Sequence, residues 1–417
     1  MTTTRARQPD VRRSRSTELP VALAASGALL LAFAAAAIAP AIAAPAKSSA
    51  AAASEQLTPV LVAVLAVPAA VPQSDGWKLP YELELTNATD APMTIESVEA
   101  RDPDRGDAVV ASLAADRIPP MLVVPGGART ATLGPGQSGV LFVNAAFERR
   151  EDVPRRLVHR LTVTTPTPKP PLGERTVQDV APTAVAPASP LAIGPPLRGD
   201  RWVAAASCCD AYHRRAVLPI DGARHLAQRF AIDWLQLDRD NRASSGDPKK
   251  NESYPQFGAE ALAVADAKVA HVADGLPENV PGALPSAISV TAADGNSVVL
   301  DLGGGRWALY AHLQPGSIRV RPGDRVKRGQ VLGLVGNTGN SSAPHLHFHV
   351  MDGPSPLASN GVPYVIDSFE VTGRAVSPSE LDDEAASGKP VPITPAGGAA
   401  RRRNELPDDL AVVRFGE

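Results

Sequence analysis

The chain is poor in cysteine. Its 417 residues hold two, Cys208 and Cys209, side by side. That excludes the disulfide framework that staples small secreted folds. Two small, half-buried thiols are the preferred reading; a vicinal disulfide or a pair of soft metal ligands stays open. Aromatic residues are scarce at 4%, whereas prolines number 41. The combination fits β-rich segments joined by stiff connectors. An excess of charge is missing too, since 41 basic against 44 acidic side chains leave −3. Nothing in that balance calls for a nucleic acid or another polyanion. No long amphipathic helix and no fixed-period repeat stand out.

What is present begins with a patterned N-terminus. Arg5, Arg7, Arg12, Arg13 and Arg15 precede the apolar run "LPVALAASGALLLAFAAAAIAPAIAAPA". Small residues follow, with an Ala-x-Ala cleavage pattern at Ala41-Ile42-Ala43. Charged, apolar and small, in that order, is the layout of an export signal over residues 1–46. The apolar run is long for a signal, so an uncleaved membrane anchor over residues 19–44 is the alternative. Either way the remainder is expected outside the cytoplasmic membrane: periplasmic, wall-associated or anchored.

Residues 47–56 are rich in Ala and Ser and read as a linker. From 57 to 165 short alternating runs are broken by turn residues. "YELELTN" sets Tyr81, Leu83 and Leu85 against Glu82 and Glu84, and "NATD", "PGG" and "GPG" separate the successive runs. This predicts an antiparallel β-sandwich serving as an accessory module. His159 stands alone in it and reads as a surface residue. Residues 166–200, with "PTPKPPLG", read as a stiff connector. Residues 201–372 are expected to form a second all-β domain, and the polar stretch 373–417 a loosely ordered tail. The glycines of "LDLGGGRW" read as a hairpin turn and not a phosphate loop, since no Lys-Ser/Thr pair follows.

The second domain carries the chemistry. In "PHLHFHV" three histidines alternate with Leu346, Phe348 and Val350. A strand sends alternate side chains to opposite faces, so His345, His347 and His349 share one face. Neighbouring imidazoles on one face can divide their work: one binds zinc and another moves a proton beside it.

Upstream stand "RWALYAHLQPG", "VRPGDRVKRGQ" and "GQVLGLVGNTGNSSAPHLHF". In this order they resemble the lysostaphin-like zinc metallopeptidases that cut peptides of the bacterial cell wall, over about residues 221–367. The resemblance implies a lysostaphin-like β-sheet domain, one zinc ion and a peptidoglycan or peptide substrate. It implies His347 and Asp233 of "FAIDW" as zinc ligands. His345 and His312 would handle the proton of the attacking water and stabilise the oxyanion. Phe230 and Ile232 would face the core. Arg229, Asn337 and Tyr310 are candidates for substrate contact. His349 stands where the family usually carries Glu, and is expected to be peripheral.

One position departs from the pattern. The family's other histidine ligand precedes the aspartate by four residues, and here that place is Arg229. An arginine has no lone pair to offer a metal. His213 is the leading replacement. His225 is eight residues before Asp233, about 26 Å along an extended chain. Alternatively Arg229 pairs with Asp233 and zinc is gone. The groove would then bind wall peptides without cutting them.

Overall fold

The structure, a computed structural model, describes residues 55–126 and 129–416. The export signal or anchor expected over residues 1–46 lies outside them. Residues 56–417 form one compact unit, and its architecture is almost entirely antiparallel β.

The first module is a pair of five-stranded sheets. The long strand Gly76–Asn87 lies between Val60–Val64 and Ser138–Phe147. In the other sheet, Met93–Asp102 lies between Ala108–Ala114 and Arg156–Thr164. Leu79, Tyr81, Leu83 and Leu85 from the first sheet pack with Ile95, Val98, Leu161 and Val163 from the second. The alternation of "YELELTN" thus builds the core. It also points Glu82 away from that core, yet Glu82 is fully buried. His159, expected at the surface, is buried as well. Its Nε2 lies 3.1 Å from the Tyr81 hydroxyl and its Nδ1 3.1 Å from Ala181 O.

A ten-stranded sheet carries the second half. Its central strands are Arg306–Leu313, Leu346–Met351 and Ile232–Gln236, followed on the Ile232–Gln236 side by Gly199–Ala205 and then Ala411–Phe415. One face of these strands is apolar: Tyr310, Leu346, Phe348, Val350, Ile232 and Trp234 join a single core cluster. The opposite face at the same strands holds the polar groups. The "LDLGGGRW" turn joins Asn296–Gly303 to Arg306–Leu313, with Gly303, Gly304 and Gly305 all at positive φ.

Two stretches are more ordered than composition predicts. Within the expected connector, Arg175–Ala184 pairs with Arg156–Thr164 as an edge strand, and Pro182 falls at its bulge, where no ladder donor is needed. The expected tail supplies the helix Pro378–Ser387 and the strands Ile393–Arg402 and Ala411–Phe415. The last is an inner strand of the ten-stranded sheet, and Phe415 meets the buried Trp234 edge-on at 5.2 Å. Its apolar "AVVRF" is short, and the polar residues around it mask the signal. Cys208 and Cys209, preferred as thiols, are joined in a disulfide.

Candidate metal centre and catalytic groove

Strand register brings the site together. Asp233 lies opposite His347 on one side, and Ala311 lies opposite His347 on the other. His312 therefore comes one residue beyond the pair, at the end of its strand. It adopts φ 62, a left-handed backbone that costs a β-carbon-bearing residue about 1 kcal/mol or more. Its backbone is pinned: its N–H donates to Asp294 O at 2.9 Å, and its carbonyl accepts from Gly336 N at 3.0 Å. The "GNTG" turn supplies the second of these contacts through Gly336, and the neighbouring Asp294-Gly295 turn supplies the first. Gly339, at φ 77, passes so close that a β-carbon would meet Gly295 N at 2.3 Å.

His213 arrives from outside the central strands, on the short turn Tyr212–Arg215. Its Nε2 lies 3.2 Å from Asp233 Oδ2. His347 Nδ1 lies 2.8 Å from Asp233 Oδ1, and the Tyr212 hydroxyl donates to Asp233 Oδ2 at 2.5 Å. Donor atoms of His213, Asp233 and His347 all lie within 4.8 Å of one another, and all three side chains are buried. His347 also clusters with His312 and His345. The groove above these groups encloses about 880 Å³, with Gln228 and Leu284 on its walls.

Hydrogen bonding decides the ring tautomers. His312 Nδ1–H donates to Thr338 O at 2.7 Å, His345 Nδ1–H to Ala343 O at 2.9 Å, and His213 Nδ1–H to Ala206 O at 3.2 Å. A carbonyl can only accept, so each neutral ring keeps a bare Nε2 lone pair. For His213 that lone pair faces a carboxylate oxygen. Two acceptors at 3.2 Å need a cation between them, either a proton or a metal. Two donors on one tetrahedral zinc, at about 2.0–2.1 Å each, lie about 3.3 Å apart. A His₂Asp set at this spacing, with a carbonyl holding the outer nitrogen of His213, fits zinc.

The protonation tendencies follow from the same contacts. Burial works against a charged His213, but the Asp233 carboxylate outweighs it and raises its pKa. Burial likewise works against ionised Asp233, yet His213 and His345 hold it well below the usual carboxylate range. Burial, with His345 and His347 beside it, keeps His312 well below the usual histidine range.

Other expected residues sit elsewhere. Arg229 does not pair with Asp233 and does not line the groove. It is 3% exposed, with Nη1 on Glu82 Oε2 at 3.0 Å and Nε on Gly361 O at 3.1 Å. Tyr310 faces the apolar side, fully buried, where its hydroxyl accepts from Val264 N at 2.9 Å. One-residue parity separates it from the groove. Asn337 is also fully buried and holds the Ser341 hydroxyl at 2.7 Å, and Ser341 lies 3.3 Å from His345 Nδ1. It supports His345 from behind and is closed to substrate. His225 lies on the hairpin strand Ala223–Leu226, outside both clusters. His349 is not peripheral: its Nδ1 lies 3.0 Å from His347 Nε2. Strand parity was the signal for it. Tyr212 had none beyond standing next to His213.

Comparison with known proteins covers part of this assembly. Residues 255–359 match the model of Peptidase family M23. That stretch contains His312, His345 and His347 but neither Asp233 nor His213. Over 57 residues the chain is 44% identical to the peptidoglycan DD-endopeptidase ShyA of Vibrio cholerae serotype O1, covering 14% of this chain and 13% of that protein. Over 42 residues it is 55% identical to the glycyl-glycine endopeptidase ALE-1 of Staphylococcus capitis, covering 10% and 11%. The chain thus spans a small fraction of the relatives it matches. The lysostaphin catalytic domain from Staphylococcus simulans aligns at 20% identity over 39% of this chain and 88% of that one, with a TM-score of 0.22.

Proposed function

We propose that the chain is an exported zinc metalloendopeptidase that cuts peptides of bacterial peptidoglycan, with His213, Asp233 and His347 as its metal ligands. The observation that carries this is the bare Nε2 of His213 facing Asp233, a pair of acceptors that asks for a cation. The family match over residues 255–359 supports the reaction class. The Cys208–Cys209 disulfide fits an oxidising compartment, as does the N-terminal sequence pattern.

Zinc, when bound, supplies a Lewis acid that polarises the scissile carbonyl and acidifies water. The chain's own residues do the rest. Thr338 O and Ala343 O hold the rings of His312 and His345 by their Nδ1 atoms, with ring centroids 4.7 Å apart, and His345 Nε2 lies 3.5 Å from Asp233 Oδ1. His312 is kept neutral by burial, so it can accept a proton from the attacking water and return it to the leaving amine. His345, beside it, hydrogen-bonds the developing oxyanion when protonated. The non-cleaving reading drew on Arg229 as a lost ligand. A third donor at His213 removes that motive.

The full chain, loaded with zinc and incubated with cell-wall peptides, should release soluble fragments. His312→Ala and His345→Ala should each lower release by about 10²–10⁴-fold while retaining the metal. A chain that holds one zinc yet releases no fragment would refute cleavage.

A further inference from the structure

Glu82 belongs to the first module, far in sequence from the groove, yet it is fully buried against the second. Its two oxygens receive two arginines. Oε1 accepts from Arg214 Nε at 2.7 Å, and Oε2 accepts from Arg229 Nη1 at 3.0 Å. One of these arginines occupies the place where a ligand was expected. The other is the chain neighbour of His213, which supplies that ligand instead.

Arg214 is held on every side. Beyond Glu82, its Nη1 donates to Asn144 Oδ1 at 2.6 Å and to Cys209 O at 2.8 Å. Its Nη2 donates to Tyr81 O and Val143 O, both at 2.8 Å. A guanidinium has five N–H bonds, and these contacts use all of them. Four of the five acceptors lie in the first module, and the fifth is on the loop leading to His213. An arginine fork satisfied in this way has essentially one position. The peptide that follows His213 therefore has one position too. The other side of the ring is fixed by Ala206 O.

We infer that Glu82 is a positioning residue for the metal centre: through Arg214 the first module sets the His213 imidazole, making the metal site a joint product of both modules. The module expected to serve as a spacer or binding accessory thereby becomes part of the site's framework. The inference rests on His213 being a zinc ligand.

Three full-length variants test it: Glu82→Gln, Arg214→Lys and Arg229→Met. Each is assayed for zinc affinity by chelator competition, for the visible spectrum of its cobalt(II) form, and for thermal stability. Glu82→Gln and Arg214→Lys should bind zinc about 10–100-fold more weakly, the usual cost of disturbing a ligand's support. Their cobalt spectra should lose the intensity of a four-coordinate site. Arg229→Met removes the other arm of Glu82 and leaves Arg214 in place, so its zinc affinity should stay within about threefold of wild type even if it melts earlier. Should Glu82→Gln not fold, Arg214→Lys against Arg229→Met makes the same comparison. Equal losses in those two would reduce the network to glue between modules and overturn the inference. So would wild-type affinity in folded Glu82→Gln. A wild-type chain that takes up no zinc would instead overturn the peptidase reading itself.

Discussion

Replacing His213 by alanine probes the assignment most directly. The substitution removes the Nε2 atom 3.2 Å from Asp233 Oδ2 and leaves Asp233 with His347, Tyr212 and, at 3.5 Å, His345. Structural zinc sites bind with about 10–16 kcal/mol spread over four ligands, so one ligand is worth about 3 kcal/mol. At about 1.4 kcal/mol per decade, affinity should fall roughly 100-fold or more. The loss is expected to be incomplete, because water can enter the open groove and take the vacated place. Titration of metal-free protein against a chromophoric chelator of known affinity measures it. Fragment release should fall in parallel at limiting zinc and recover in part at saturating zinc. An unchanged affinity in His213→Ala would refute the argument from facing acceptors. The proton would then be the cation between His213 and Asp233, as the raised pKa of His213 already permits.

Other consequences are separable. His349→Phe removes the Nδ1 atom 3.0 Å from His347 Nε2, so zinc affinity should drop about 10–100-fold, whereas His349→Glu should restore an acceptor and most of the affinity. Gly339→Ala places a β-carbon 2.3 Å from Gly295 N at a position with φ 77; it should lower the melting temperature and abolish fragment release by displacing the turn that holds His312. Burial lowers His159 from 6.5 to about 4, so the folded state binds its proton less readily than the unfolded chain. Its contribution is therefore present above pH 6.5 and is lost as pH falls toward 4, by about 3 kcal/mol at about 1.36 kcal/mol per pH unit. Denaturant unfolding between pH 7 and 4 should show a slope that His159→Phe flattens. An equal slope in that variant would assign the acid sensitivity to other groups.

Much of the candidate site was legible because it rests on local rules. Alternation in "HLHFHV" puts His347 and His349 on one face and Leu346, Phe348 and Val350 in the core, and the strand obeys it. The same parity correctly sent Asp233 to the groove between Phe230, Ile232 and Trp234. Tyr310 was kept as a candidate for substrate contact, and its burial on the apolar face, one residue out of parity with the groove, removes it. The strand "AVVRF" escaped notice because a five-residue apolar run in a polar neighbourhood carries little periodic signal. His159 looked exposed because nothing local announces that a Tyr81 hydroxyl and a bulge carbonyl will meet its ring.

Strand periodicity and turn residues account for the all-β architecture; the resemblance to the lysostaphin-like metallopeptidases brought forward His312 and His345 as catalytic candidates and Asp233 and His347 as two of the three proposed ligands, and alternation along their strands sets the faces they occupy. What becomes of Arg229 and His213 follows from the packing of the two modules. Arg229 is committed to Glu82, a partner 147 positions away, and His213 reaches Asp233 from a turn whose course is set by Arg214 inside the other module. No local pattern encodes such a path. A buried arginine goes where its charge and its five donors are satisfied, and here that place exists only once the two modules have packed.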